Sequence, residues 1–170
     1  MGVTKYSGIS KFYFDALLKK IIDVGNLHKD KILILDFGCG NGRLKKMIGK
    51  SVINFDKRSD LTDVKDWTDI DFNFFIANHV LYELDESELN QLCLTLSEHL
   101  SMRNFTIIIG IARQGILSKF GKFLLNQKYA HSDTKTSAST QIKILKNYFK
   151  INKNINFWFL TQIFVITELN

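Results

Sequence analysis

The stretch KILILDFGCGNGRL, residues 31–44, decides the fold. Its residues 32–36 are too few for a helix and alternate too little for a half-exposed strand, which is typical of a strand buried on both faces of a parallel sheet. Three glycines follow at every second position: Gly38, Gly40 and Gly42. Because glycine has no Cβ, such a turn takes positive φ readily and brings its backbone close to a ligand. A helix is predicted to begin near Arg43 with its N–H groups facing the turn, so the stretch predicts a nucleotide-type binding loop.

The composition is that of an ordinary globular protein. The chain has 170 residues, of which 45% are hydrophobic and 24% charged, so one domain with a full core is expected. Its longest apolar runs are shorter than the roughly 18 residues that a membrane span needs. Cys39 and Cys93 form neither a disulfide framework nor a zinc pattern, so we predict no metal site and expect a reducing cytoplasm. The net charge of +6 suits an anionic partner such as RNA, although lysine-rich surfaces commonly serve solubility.

Hydrophobic periodicity predicts helices and strands in alternation. A first helix is expected from a cap at Ser10 to Gly25 as its C′ residue. Asp85 is predicted to cap a later helix, with Glu88 completing a capping box. Ser137 or Ser139 is expected to cap the last helix, which carries its apolar stripe as far as Phe149. Further predicted elements are a helix at 43–50, a short helix within the loop 112–136, and strands at 51–56, 61–64 (brief), 72–78, 105–111, 155–160 and 162–167.

This order predicts an α/β fold with a Rossmann-like, doubly wound sheet. The sheet is expected to be mostly parallel, with an antiparallel strand from the C-terminal hairpin. Residues 1–170 are predicted to be one domain. Within it, 1–30 form an N-terminal helical cover, 31–111 the cofactor-binding half, and 112–170 the substrate-side loop, helix and terminal hairpin.

Two carboxylates follow the first two predicted strands. Asp36 precedes the glycines, and Asp56 lies twenty residues later, at the end of the next strand. Carboxyl ends of such strands lie side by side along the ligand crevice, where a carboxylate can accept hydrogen bonds from two ribose hydroxyls. The alternative is that Asp56 caps the following turn. A dinucleotide loop would need glycine where Arg43 stands, and a P-loop would need a Lys-Ser/Thr pair that is absent.

The combination resembles the class I S-adenosylmethionine-dependent methyltransferases, in particular the small single-domain kind similar to methyltransferase types 11 and 12. The motifs that carry the resemblance are ILDFGCGNGRL (34–44), VINFD (52–56), DVKDW (63–67) and FFIANHVLYELDESEL (74–89). The resemblance extends over nearly the whole chain and implies a seven-stranded sheet. It also implies S-adenosyl-L-methionine as cofactor, with S-adenosyl-L-homocysteine as product.

The resemblance assigns roles to matching positions only. Asp36 would bind the methionine ammonium, Asp56 the ribose hydroxyls, and Asp63 with Val64 the adenine, with Asp66 as a rival for Asp63. Asn78 would lie near the methionine end of the cofactor. The implied cofactor-binding set is Asp36, Gly38, Cys39, Gly40, Gly42, Asp56, Lys57, Asp63, Val64 and Asn78.

The catalytic candidates are His79 and Tyr82, with Glu83 less favoured, because a hydroxyl or ammonium acceptor needs a base. For His79 the alternative is a capping or core role. Cys39 is interpreted as a close-packed loop residue and Cys93 as a core residue.

A small-molecule acceptor is the favoured hypothesis, with the N-terminal helix and residues 112–136 as its cover. The Asp/Asn-Pro-Pro-aromatic motif of base amino methyltransferases is missing at 78–80, and the chain has no proline. Neither cysteine is placed for a cytosine C5 enzyme. Methylation of RNA or protein, a non-catalytic cofactor-binding subunit, and a dehydrogenase are the alternatives. The sequence gives neither the acceptor nor the oligomeric state.

Overall fold

Strands and helices alternate along the chain in the computed structural model, which describes residues 8–29, 31–113 and 134–170. A one-turn 3₁₀ helix at Leu81–Glu83 precedes the third helix. The strands are β1 (Ile34–Phe37), β2 (Val52–Phe55), β3 (Phe74–Asn78), β4 (Thr106–Ala112), β5 (Phe149–Phe157) and β6 (Thr161–Leu169). The helices are α1 (Gly8–Gly25), α2 (Arg43–Ile48), α3 (Glu86–Met102) and α4 (Ala138–Tyr148).

The six strands of the described residues form one sheet in the order β2-β1-β3-β4-β6-β5. Strands β2, β1, β3 and β4 are parallel, whereas β6 is antiparallel to both β4 and β5. The doubly wound sheet and its antiparallel terminal hairpin are therefore confirmed. The chain leaves β1 on one side to form β2 and returns on the other side to form β3. This change of direction opens a crevice at the carboxyl ends of β1 and β3.

The two faces of the sheet bury alternate residues against different helices. On one face, Leu35, Phe75 and Ile107 join a cluster with apolar residues of α3 and α4. On the other, Ile34 and Ile76 join a cluster with α1 and α2. Side chains of a strand point alternately to the two faces, so continuous apolar strands of this kind must be covered on both sides.

The predicted cap of the first helix is wrong, whereas its end at Gly25 is confirmed in position but not as a C′ residue. Ser10 is buried inside α1 and does not cap it. Gly25 is the last helical residue, and the left-handed residue after it is Asn26, with φ of 51°. Gly25 instead allows close packing, because a Cβ there would lie 2.8 Å from Ile108 Cδ1 and 2.6 Å from Leu27 Cδ2.

The brief strand predicted at 61–64 is also wrong, since these residues form turns and bends. Asp63 binds the edge of β2: its N–H donates to the Asn54 carbonyl at 2.9 Å, and its Oδ2 accepts from the Asn54 N–H at 2.7 Å. The backbone and the side chain of one residue thus pair with Asn54 where a further strand would otherwise add.

The last helix passes directly into β5, without a loop. Ser137 is its N-cap, as one of the two predicted candidates, but Phe149 begins β5 and is not helical. The strand starts well before the predicted position 155. Residues 150–154 are polar except for Ile151 and lie at the sheet edge, where exposed lysines are common, so they give no apolar signal. In the turn to β6, Trp158 and Phe159 have φ of 47° and 59°, which is unusual for bulky side chains.

Residues 8–29, 31–113 and 134–170 contain no helix that is long and apolar enough to cross a bilayer. The helix predicted within 112–136 falls mainly on residues 114–133, which lie outside the described residues.

Replacing Asp85 tests the cap of α3. Its carboxylate accepts from the Glu88 N–H at 2.9 Å while Glu88 Oε2 accepts from the Asp85 N–H at 2.8 Å, which confirms the predicted capping box. We expect Asp85→Ala to lower the free energy of unfolding by about 1 kcal/mol. Urea denaturation measures this, with Asp60→Ala in an exposed turn as the control. Equal stability of the two variants would contradict the prediction.

Candidate functional site

The glycine turn after β1 lies at the carboxyl edge of the sheet and follows a left-handed path. Gly38, Gly40 and Gly42 have φ of 72°, 53° and 65°. The turn is attached to the neighbouring strand, because the N–H groups of Gly38 and Cys39 donate to the Phe55 carbonyl at 2.7 and 3.2 Å. Alternate glycines are therefore needed for backbone conformation, as the sequence predicts.

The three glycines differ in what surrounds them. A Cβ on Gly38 would lie 2.2 Å from Val80 Cγ2, and one on Gly42 would lie 2.9 Å from Asn54 Nδ2. A Cβ on Gly40 would have no described atom within 4 Å. Gly38 and Gly42 hold the turn against the strands, whereas Gly40 presents bare backbone to open space.

Asp36 is a buried carboxyl group at the end of β1, 6% exposed. Burial, and then the charge of Asp56, raise its pKa from 3.8 to about 7. Among the described residues, no hydrogen-bond donor contacts this carboxyl group. A buried carboxylate without a partner takes up a proton instead, so a cationic ligand group would stabilise the ionised form of Asp36.

Asp56, at the end of β2, binds the glycine turn directly. Its Oδ2 accepts from the Gly40 N–H at 3.0 Å, and its Oδ1 accepts from the N–H of Arg58 at 3.1 Å and from Arg58 Nε at 3.3 Å. Asp56 therefore caps the turn that follows β2, which is the alternative role considered for it in the sequence. A carboxylate has about four lone-pair sites, so this role leaves acceptor capacity for further donors.

The remaining predicted cofactor residues lie around this pair in different environments. Lys57 is exposed and pairs with Glu83 at 2.7 Å, while Asp63 binds Lys45 at 2.7 Å as well as the β2 edge. Asp66 accepts from the backbone and the side chain of Thr68. The carbonyl of Val64 accepts from Thr62 Oγ1 at 2.7 Å.

Cys39 is packed within the loop. Its Sγ lies 3.4 Å from the Leu61 carbonyl and 3.6 Å from the Gly40 carbonyl. Burial, followed by nearby carboxylates, raises its pKa to about 12, so the thiol stays protonated. The interpretation of Cys39 as a packed loop residue is consistent with this environment.

Asn78 ends β3 with a buried acceptor. Its Oδ1 has no hydrogen-bond donor within the described part of the chain, and the same is true of Asn54 Oδ1 behind the glycine turn. A Cβ on Gly110 would lie 2.2 Å from Asn78 Oδ1, so glycine at this position makes room for the amide. Buried acceptors of this kind are normally paired, which marks Asn78 as a candidate ligand contact.

An open cleft lies beside the carboxyl ends of β3 and β4. His79 and Tyr82 both line it, so the structure brings the two catalytic candidates together. Its other walls come from β4 (Gly110, Ile111, Ala112 and Arg113) and from residues before and within α4 (Thr134, Thr136, Ala138 and Gln141).

Sequence reasoning missed two connections that hold α1 at this site. Arg43 forms an ion pair with Asp15 of α1. Thr161 is hydrogen-bonded to both Tyr13 and His79. The only signal in the sequence was Arg43 at a position where dinucleotide loops use glycine, and nothing in it indicated a partner.

No protein-family model and no curated protein matches this sequence. Solved structures do match in fold. The PH0226 protein from Pyrococcus horikoshii OT3 has a TM-score of 0.68 at 13% identity, over 98% of this chain and 94% of that one. Magnesium protoporphyrin IX methyltransferase from Synechocystis PCC 6803, with bound S-adenosylhomocysteine, has a TM-score of 0.55 at 16% identity, over 94% of this chain and 82% of that one.

The N-methyltransferase NodS from Bradyrhizobium japonicum WM9, in complex with S-adenosyl-L-homocysteine, gives a TM-score of 0.56 at 11% identity over 92% of this chain and 87% of that one. The chain therefore has the Rossmann-like fold of the class I methyltransferases. This confirms the fold that the sequence resemblance implies.

Gly38 and Gly40 form a matched pair for testing the turn. Both have positive φ, so alanine at either position costs roughly 1–2 kcal/mol of unfolding free energy. Only Gly38→Ala also collides with Val80, which adds about 1–3 kcal/mol. Urea denaturation should therefore give a clearly lower free energy of unfolding for Gly38→Ala than for Gly40→Ala. Equal losses of stability would show that the close approach of Gly38 to Val80 is unimportant.

Asp36→Asn tests the buried carboxyl group through pH. Because the folded pKa is raised, the folded state keeps a proton between pH 3.8 and about 7 that the unfolded state has lost. The stability of the wild type must then fall as pH rises through this window, by on the order of 1 kcal/mol per pH unit.

Asn cannot ionise, so the stability of Asp36→Asn relative to wild type should increase between roughly pH 5 and pH 8. Urea denaturation at both pH values measures the difference. Asp60→Asn, at an exposed turn, is the control. A constant difference for Asp36→Asn would mean that the carboxyl group is not desolvated.

Proposed function

We propose that this protein is a methyltransferase that binds S-adenosyl-L-methionine at the carboxyl ends of β1 and β2 and methylates a small-molecule acceptor. The observation that carries the proposal is the buried Asp36 carboxyl group, which lies directly before a left-handed glycine turn and near Asp56. A phosphate ligand would be repelled by Asp56 and by the ionised form of Asp36, whereas an ammonium group and ribose hydroxyls complement them.

The residues of the site fit this cofactor in chemical type. Asp36 would hold the methionine ammonium, and Asp56 the ribose hydroxyls. The backbone of Gly38 to Gly42, with Cys39 packed inside the turn, would face the amino acid and ribose portions. Asn78 Oδ1, a buried acceptor with no donor among the described residues, would lie near the methionine end. The two similar structures with bound S-adenosylhomocysteine support the choice.

The adenine side of the proposed site is formed by the chain after β2. Lys57, Asp63 and Val64 remain its candidates. Asp63 uses Oδ2 for both Lys45 and the Asn54 N–H, so any contact to the adenine amino group would involve its other oxygen. Asp66 is engaged with Thr68 and stays the rival.

For methyl transfer, the protein must align the acceptor with the methyl group more than it must activate the methyl group. The sulfonium cofactor supplies an already activated methyl group, so the chain must bring an acceptor atom in line with it and exclude water. The cleft next to β3 combines apolar lining residues with a few polar groups, a composition typical of small-molecule sites, which supports a small acceptor. His79 and Tyr82 line it and are the candidates for orienting or deprotonating that acceptor.

Calorimetry with S-adenosylhomocysteine tests the cofactor site. The ligand's ammonium should lower the raised pKa of Asp36, so binding near pH 6 should release up to one proton. The dependence of the binding enthalpy on the ionisation enthalpy of the buffer measures this release. Asp36→Asn should abolish it, and Asp56→Ala should weaken binding at least about tenfold, or roughly 1.4 kcal/mol.

Asp60→Ala is the matched control and should bind as the wild type does. If neither S-adenosylmethionine nor S-adenosylhomocysteine binds, or if Asp56→Ala binds unchanged, the site assignment is wrong. Binding without methyl transfer to any of a broad panel of small molecules, together with a stable protein partner recovered from cells, would favour a non-catalytic subunit. Transfer to RNA or protein alone would overturn the small-molecule acceptor.

A further inference from the structure

A chain of two hydrogen bonds joins α1 and β6 to His79. The Tyr13 hydroxyl lies 2.6 Å from Thr161 Oγ1, and the same Oγ1 lies 2.7 Å from His79 Nε2. Tyr13 is 2% exposed and Thr161 is fully buried. Neither residue has a role in the methyl transfer described above, and 148 positions separate them in the sequence.

The protons of this chain can be assigned by counting donors and acceptors. Each of the two hydroxyls has one proton to donate. Within the described residues, Thr161 is the one hydrogen-bond partner of the Tyr13 hydroxyl, so Tyr13 must donate to Thr161 to avoid a buried, unpaired O–H. Burial raises the pKa of Tyr13 to about 12, which keeps this proton in place.

Thr161 must then donate its own proton to the next atom in the chain. Its remaining partner is His79 Nε2, which therefore accepts and carries no proton. In a neutral imidazole the proton must then be on Nδ1. The opposite direction, from His79 through Thr161 to Tyr13, would leave the buried Tyr13 proton without an acceptor.

The His79 ring is also fixed by its surroundings. The backbone of His79 has φ of 55°, which turns the chain away from β3, and its N–H donates to the Gly110 carbonyl at 2.9 Å. The Phe14 ring meets the imidazole edge-on at 5.6 Å. The ring thus has a defined orientation where it lines the cleft.

We propose that Tyr13 and Thr161 are positioning residues that hold His79 in its Nδ1-protonated tautomer. In this state the proton of the ring is on Nδ1, and its one lone pair, on Nε2, is bound by Thr161. His79 would therefore not serve as the general base for the acceptor. The role toward the acceptor rests on the proposed function, whereas the tautomer itself does not.

Nitrogen-15 NMR of the histidine rings tests the tautomer on the full chain, with and without S-adenosylhomocysteine. His79→Asn identifies the His79 signals by their loss, and asparagine tolerates the positive φ at this position. In the wild type we expect Nε2 to resonate as an unprotonated and Nδ1 as a protonated nitrogen. Thr161→Val should produce a population with the proton on Nε2, whereas Thr161→Ser should preserve the wild-type pattern.

Tyr13→Phe removes the donor that orients Thr161 and should cause a smaller change in the same direction, so it carries the test if Thr161→Val does not fold. Tyr148→Phe, which removes a hydroxyl bonded to Asn90 away from the cleft, is the control and should change nothing. A wild-type ring protonated on Nε2, or a tautomer unaffected by both variants, would overturn the proposal. Calorimetry on the same samples reports cofactor binding separately, so failure of the proposed function would be recognised independently.

Discussion

The contact between Gly38 and Val80 is the constraint on which the rest of the site depends. Gly38 follows β1, and Val80 lies just beyond β3, so their approach sets how closely the two strand exits pack. Asp36 precedes this contact and His79 precedes Val80, which places one on each side of the crevice. A Cβ would separate the two exits. The turn therefore sets the distance between the proposed cofactor site and the cleft.

The elements that could be predicted from the sequence are those with a local signal. The apolar runs of β1, β3 and β4, the left-handed glycines and the Asp85 cap all follow from the residues within a few positions. Asp63 at the edge of β2 lies within a predicted strand that does not form, because a single residue that pairs with a strand edge has no periodicity. The polar start of β5 was missed because an edge strand has few buried positions.

The residues of the candidate site also fall into those with a local sequence signal and those placed only by tertiary packing. The positions of Asp36 and Asp56 follow from their place at the ends of consecutive strands, and the structure places them close enough for one charge to raise the pKa of the other. The partners of His79 and Arg43 could not be predicted. Thr161 and Asp15 meet them only through the packing of β6 and α1, and no spacing in a single sequence reports such pairs.

The side chains on the two outer strands also have a consequence for how the protein behaves at high concentration. An unprotected outer strand is a template on which further copies of a chain can add and polymerise. On β2 the Asn54 amide and carbonyl are already occupied by Asp63, and on β5 Lys150 and Lys153 place ammonium groups along the margin. An approaching copy would meet the Asn54 groups already paired on one side and charged side chains, including the Lys150–Glu168 ion pair, on the other. Both outer strands therefore carry features that disfavour the addition of a further strand.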